Sequence, residues 1–157
     1  MTFARRGSLP GVNVQVEVLK TVTPDVVEAF RRLLPQLSRS APPLDAEALT
    51  SIVSSPAVTV LIARSDGQIT GTLTLAMFPC PTGLRAWIED VVVDEAARGT
   101  GIGEALTRKA LDVAMDAGAR TVDLTSRPSR AAAGRLYERV GFAERESRLY
   151  RYTLRGT

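Results

Sequence analysis

The chain has 157 residues and a formal net charge of +3 spread over dispersed arginines, which suits one domain with a sizeable core and calls for no nucleic-acid partner. With no histidine and a single cysteine, Cys80, it cannot assemble an intrachain disulfide, the usual nitrogen-and-sulfur zinc sites, or Ser-His-Asp and Cys-His catalysis. No metal is expected, and no apolar run approaches the roughly 20 residues of a membrane span. Because Met1 to Gly11 also lacks a signal peptide's apolar middle, a cytoplasmic protein with no membrane partner is the expectation.

Residues 1–11, with Gly7, Pro10 and Gly11, read as a flexible arm ahead of a single domain over 12–157. From Val12, valines at 12, 14, 16 and 18 alternate with polar residues, the pattern of a half-buried strand. Thr23 then caps a helix with Pro24 at its first position and an apolar stripe through Val26, Val27, Phe30, Leu33, Leu34 and Leu37. After Ala41-Pro42-Pro43 a short second helix opens at Asp45, with Leu44 and Leu49 spaced as a hydrophobic staple and Ile52 and Val53 below. Residues 57–64 and 68–78 form a hairpin across Ser65-Asp66-Gly67. A turn over 79–83 leads to a strand over 84–93.

The next stretch carries the chemistry. Arg98-Gly99-Thr100-Gly101-Ile102-Gly103-Glu104 follows that strand directly and opens a helix, because Ile102, Leu106, Ala110 and Val113 recur at helical spacing up to Gly118. Small residues let a ligand approach the backbone, and the first helical N–H groups are unpaired at the positive end of the macrodipole. An anion, above all a phosphate, is the natural occupant. Spacing excludes the two commonest phosphate loops. Neither Gly99 nor Gly101 begins G-x-G-x-x-G, and Gly103 lacks the Lys and Ser or Thr that a Walker loop places next. Beyond the helix, Thr121 to Thr125 reads as a strand parallel to 84–93 across a right-handed crossover. A last helix spans 129–140, with Gly141 and Phe142 closing it, and 149–154 reads as a closing strand. The elements sum to α+β: a mixed sheet with helices on both faces.

The spacing Arg98, Gly101, Gly103, R-x-x-G-x-G, resembles the acetyl-CoA motif of the GCN5-related N-acetyltransferases, the GNAT family. A second signature of that family, A-x-x-L-Y-x-x-x-G-F, resembles Ala133, Leu136, Tyr137, Gly141 and Phe142 in the right order downstream. The resemblance implies the GNAT fold, with a central, mostly antiparallel mixed sheet. It implies acetyl-CoA as co-substrate, attacked directly by a primary amine of a small molecule, peptide or protein. It implies that the pyrophosphate takes the amides of Gly99, Thr100, Gly101, Ile102, Gly103 and Glu104, with Arg98 as a charge contact. It further implies that strands 88–93 and 121–125 splay apart, offering Val91 and Val93 as main-chain contacts, and that Tyr137 returns a proton to the thiolate. A phenol, with a pKa of about 10, suits that last step.

A base for the ammonium is sought in Glu89 and Asp90. On a regular strand they point to opposite faces, and Glu89 is preferred because Asp90 shares a face with Ile88; a bulge reverses the choice. Arg130 stands where many family members carry asparagine, so Arg127 and Arg130 meet either the cofactor's phosphates or solvent, with Arg135 and Arg139. Cys80 needs no role. The alternative to catalysis is a non-catalytic acetyl-CoA-binding or interaction module on the same fold. The acceptor and a homodimer both stay open.

Overall fold

The computed structural model describes residues 13–154, so the expected arm and Val12 lie outside the described residues. Five strands form one sheet in the order β1 (Val14–Val18), β2 (Val58–Ser65), β3 (Gln68–Cys80), β4 (Gly83–Val93) and β5 (Thr121–Asp123). The first four pair antiparallel and β5 joins β4 in parallel, so the sheet is mixed and mostly antiparallel.

Period-two alternation decides which helix each strand residue meets. On β2, Val60 and Ile62 face α1 (Pro24–Leu37) and α2 (Ala46–Val53), packing with Phe30, Leu33 and Leu49. Leu61 and Ala63 face the other way, onto Ile102, Leu106 and Ala110 of α3 (Ile102–Asp116). Helices therefore cover both faces, and burying each of these leucines contributes about 2 kcal/mol relative to exposure. Gly71 lets α3 settle on β3: a Cβ there would lie 3.0 Å from Ile102 Cγ2 and 3.1 Å from Leu106 Cδ1.

Local chemistry sets most boundaries. Asp45 caps α2 by accepting the Ala48 N–H at 2.8 Å, and Leu44 packs into the same cluster as Leu49. Thr23 sits at the N-cap of α1, but its hydroxyl turns to the Asp25 carboxylate and caps no backbone group. Asp66 and Gly67 make the β2–β3 turn with φ of 50° and 81°, both in the left-handed region that a type I′ turn requires. The last helix, α4 (Ala131–Val140), starts two residues later than the spacing predicts, with Arg130 at its N-cap. It ends as expected. Gly141 takes φ of 117°, the Phe142 N–H reaches the Tyr137 carbonyl at 2.9 Å, and the two rings meet edge to face at 5.8 Å.

Three expectations need correction. Pro79 and Cys80 belong to β3, so the turn into β4 is only Pro81-Thr82. β5 stops at Asp123 rather than Thr125. The segment 149–154 forms no strand, and Leu149, Tyr150, Tyr152 and Leu154 are 65%, 84%, 86% and 69% exposed. Its alternation says which face a strand would bury, but a strand also needs a partner backbone, and β5 presents only three residues.

Candidate active site

The loop is held from below by α1. Arg32 donates to the Asp94 carboxylate at 3.0 Å and to the Ile69 carbonyl at 2.6 Å, while Gln36 accepts the Glu95 N–H at 2.8 Å. Asp94 in turn caps a short 3-10 turn, Glu95–Ala97, through the Ala96 N–H. Burial raises the Asp94 pKa, but hydrogen bonds from Ala96 and Arg32 outweigh it and hold the carboxyl below its ordinary value. The segment entering the loop is thus fixed before any ligand arrives.

Gly99 and Gly101 have φ of 78° and 85°, a region that costs a side chain-bearing residue roughly 1–2 kcal/mol. A Cβ on either would meet no atom within 4 Å, so conformation and not crowding demands glycine there, and the loop surface is open. Gly103 differs. A Cβ on it would stand 3.1 Å from Leu136 Cδ1 and 3.7 Å from Val93 Cγ2, so it lets α3 approach both α4 and β4. The first intrahelical bond of α3 runs from the Ala105 N–H to the Gly101 carbonyl at 3.0 Å, which leaves the N–H groups of Ile102, Gly103 and Glu104 without helical acceptors. Side chains point elsewhere: Ile102 is buried in the core, and Thr100 donates to the Ala97 carbonyl. Arg98 Nε reaches the Val93 carbonyl at 3.3 Å. Glu104 is engaged by Arg108 at 2.8 Å and Arg139 at 3.4 Å; the Arg108 hydrogen bond above all holds its carboxyl below the usual range. What the loop offers a ligand is mainly backbone.

β4 is irregular where it matters. Glu89 pairs with Thr74 and Val92 with Thr72, so Leu73 alone opposes Asp90 and Val91, and Asp90 has φ of 49°. This is a β-bulge, and it resets the alternation. Ile88 faces the α3 cluster whereas Val92 faces the α1 cluster, although a regular strand would put them on one side. The expectation that Glu89 and Asp90 oppose each other therefore fails: both turn toward α1 and α2. Glu89, exposed, accepts the Trp87 Nε1–H at 2.8 Å. Asp90 lines a cavity. β5 pairs with β4 only through Arg85, Ala86 and Trp87, so beyond Trp87 the β4 backbone has no β5 neighbour, and Val91 and Val93 lie on that stretch.

The cavity, of about 330 Å³, lies between the sheet and α1 and α2. Leu34, Leu37 and Phe30 of α1, Leu49 and Ile52 of α2, and the linker at Ser38, Ala41, Pro42 and Leu44 wall it. Its floor is Val60, Thr72, Thr74 and Asp90, and Asp90 is the one charged residue among these. Thr72 and Thr74 escaped the sequence reading. Their signal is Thr70-Gly71-Thr72-Leu73-Thr74-Leu75, an alternation that puts small hydroxyls on one face of an otherwise apolar strand.

Tyr137 sits on α4, half-buried, one residue past the Leu136 that covers Gly103. Burial pushes its phenol pKa up, and Arg130 works weakly against that. Arg127, Arg130, Arg135 and Arg139 are all exposed, and among the described residues no cluster of three or more His, Cys, Asp and Glu is placed to hold a metal. No helix among those residues is long and apolar enough to cross a membrane. The arrangement thus brings helix-start N–H groups without helical acceptors, a stretch of β4 with no β5 beside it, and a cavity with a carboxylate on its floor together at one strand, β4.

The chain belongs to the acetyltransferase (GNAT) family, whose model matches residues 24–142. It is 32% identical over 138 residues to glucosamine 6-phosphate N-acetyltransferase 1 of Oryza sativa subsp. japonica, covering 82% of this chain and 81% of that one. It is 35% identical over 95 residues to the N-alpha-acetyltransferase MAK3 of Arabidopsis thaliana, covering 60% of this chain and spanning half of that relative. Among solved structures, a Trypanosoma brucei acetyltransferase superposes with a TM-score of 0.73 at 28% identity, over 90% of this chain and all of that one. An aminoglycoside acetyltransferase from an uncultured soil metagenomic sample shares the fold at a TM-score of 0.80 and 21% identity, over 90% of this chain and 97% of its own.

Proposed function

We propose that the chain is an N-acetyltransferase that moves an acetyl group from acetyl-CoA to a primary amine by direct attack while both are bound. The observation that carries this reading is the placement of three unpaired helix-start N–H groups beside a strand edge whose bulge holds a carboxylate. The relatives named above, a glucosamine 6-phosphate N-acetyltransferase and an N-alpha-acetyltransferase, support it.

Acetyl-CoA fits what the residues offer. The amides of Gly99 to Glu104 and the positive end of α3 suit its pyrophosphate, and the β4 edge at Val91 and Val93 suits amide groups of its arm. Arg98, held at the Val93 carbonyl, and the exposed Arg127 and Arg130 are the charges nearest that role in sequence. When bound, the thioester supplies an acetyl group activated toward an amine. The protein's part is then to place the amine, take its proton and return one. Asp90 Oδ, on the cavity floor, receives the proton of the incoming ammonium; Glu89, on the same side and bound to Trp87, is the second carboxylate. Tyr137 holds a proton at Oη, kept there by burial, for the leaving sulfur. Proximity of two bound substrates supplies most of the acceleration, and each proton-transfer group about 10²- to 10⁴-fold.

Thiol release from acetyl-CoA across a panel of amines tests this. Turnover that falls in Asp90→Asn and Tyr137→Phe supports it. Binding of acetyl-CoA with no amine consumed would instead make the chain a cofactor-binding module.

A further inference from the structure

We infer that the acceptor is a monoamine on an apolar body, seated with its ammonium at Asp90 and its body between α1 and α2. This rests on the reading of the chain as an N-acetyltransferase and goes on to name the chemistry of its second substrate.

Charge is the first argument. Among the described residues Asp90 is the sole ionic group lining the cavity, so the lining matches one positive charge. A polyamine or aminoglycoside would bring further ammonium groups that no second carboxylate of the cavity lining meets, since Glu89 lies outside that lining, and an anionic sugar phosphate would find no Arg or Lys there. Asp90 is exposed, so the pairing is made at the open side of the cavity, and further charges drawn against the apolar wall would lose water without gaining a partner.

Polarity is the second. Besides Asp90, the described residues of the wall offer side-chain hydrogen bonding only at Ser38, Thr72 and Thr74, and the Thr72 hydroxyl already donates to the Leu61 carbonyl at 2.9 Å. A hydroxyl-rich sugar would leave most of its groups unpaired against Leu34, Leu37 and Ile52. Size is the third, for 330 Å³ lies at the small end of the roughly 300–1,000 Å³ typical of ligand sites. The bulge links the arguments, because it turns Asp90 out of the α3 face and onto this floor.

Thiol release by the whole chain should be compared for n-alkylamines of increasing length, 2-phenylethylamine, spermidine, kanamycin, glucosamine 6-phosphate and a peptide beginning with leucine. The expected result is a kcat/KM that climbs about 3- to 4-fold per added methylene until the cavity is full. Apolar amines, free or as the peptide's first residue, should lead; the peptide arm tells those two sources apart, and either supports the inference. A flat chain-length series, or a lead for spermidine, kanamycin or the sugar phosphate, overturns the inference and leaves the acetyltransferase reading standing. If no amine reacts, both fall. A second variant avoids dependence on substrate choice. Ile52 is 39% exposed, so Ile52→Glu should fold, and its added carboxylate should shift preference from a monoamine toward a diamine by about 2- to 5-fold, the size of an exposed ion pair. An unchanged preference overturns the placement of the acceptor here.

Discussion

The loop that opens α3 and the cavity beneath α1 and α2 meet at β4, yet they are made of different material. The loop presents main-chain N–H groups, while its side chains are buried in the core or tied to neighbours, as Glu104 is to Arg108 and Arg139. The cavity is lined by residues of three strands, two helices and the linker between those helices. A seat built from backbone is indifferent to most substitutions but intolerant of a changed φ. A seat built from side chains keeps its shape under substitution but changes what it selects.

The comparison predicts separable failures. The largest belongs to Asp90→Asn, which removes the proposed proton acceptor and keeps the volume: kcat should fall about 10²- to 10⁴-fold while acetyl-CoA affinity, read by calorimetry, stays within a factor of two. Loss of cofactor affinity in that variant would mean that the two seats are not separate. Tyr137→Phe comes next, with kcat lower by about 10²-fold and acetyl-CoA binding retained. Because burial lifts the phenol above its ordinary value of 10.0, the wild-type rate should hold its acid-requiring form to beyond pH 10, and the limb should vanish in the variant. An alkaline limb well below pH 10 that survives Tyr137→Phe would point to another acid.

Gly101→Val attacks the other seat. Forcing a β-branched residue into φ of 85° costs roughly 1–2 kcal/mol, so acetyl-CoA should bind about 5- to 30-fold more weakly or the melting temperature should drop to match. Acceptor preference among amines that still react should not move. A shift in that preference would break the division of labour.

The smallest effect is Glu104→Gln. If Glu104 serves the cofactor through its N–H alone, affinity for acetyl-CoA should hold and stability should change by less than about 1 kcal/mol, since these ion pairs are largely exposed. The sign with pH is fixed: the Arg108 hydrogen bond places the folded carboxyl below its reference of 4.5, so its contribution is present above that value and is lost as pH falls through the folded pKa. Thermal melts from pH 7 to 3 should therefore show a shallower acid decline in the variant, and parallel curves would rule the linkage out.

The same contrast explains what could be read from residues alone. The loop was legible because glycine spacing dictates local backbone conformation, and Arg98, Gly101 and Gly103 lie within six consecutive residues. The helices were legible for a similar reason, through the stripe from Val26 to Leu37 and the Asp45 cap. The cavity required the tertiary fold, since Leu34, Ile52, Thr74 and Asp90 come from four separate elements. The bulge carried no mark beyond an aspartate, a residue that tolerates the left-handed region better than most. That one inserted position turned Asp90 toward α1, and β4 runs on past Trp87 without β5 beside it. The segment 149–154 misled for a complementary reason: alternation is a property of one strand, whereas pairing belongs to two.

The most direct test of two seats on one strand is to measure thiol release and acetyl-CoA affinity on the same samples of wild type, Asp90→Asn and Gly101→Val, with 2-phenylethylamine as acceptor. Turnover lost with affinity kept in Asp90→Asn, and affinity lost with acceptor preference kept in Gly101→Val, is the predicted pattern. Both variants losing both properties together, or neither losing either, would contradict it.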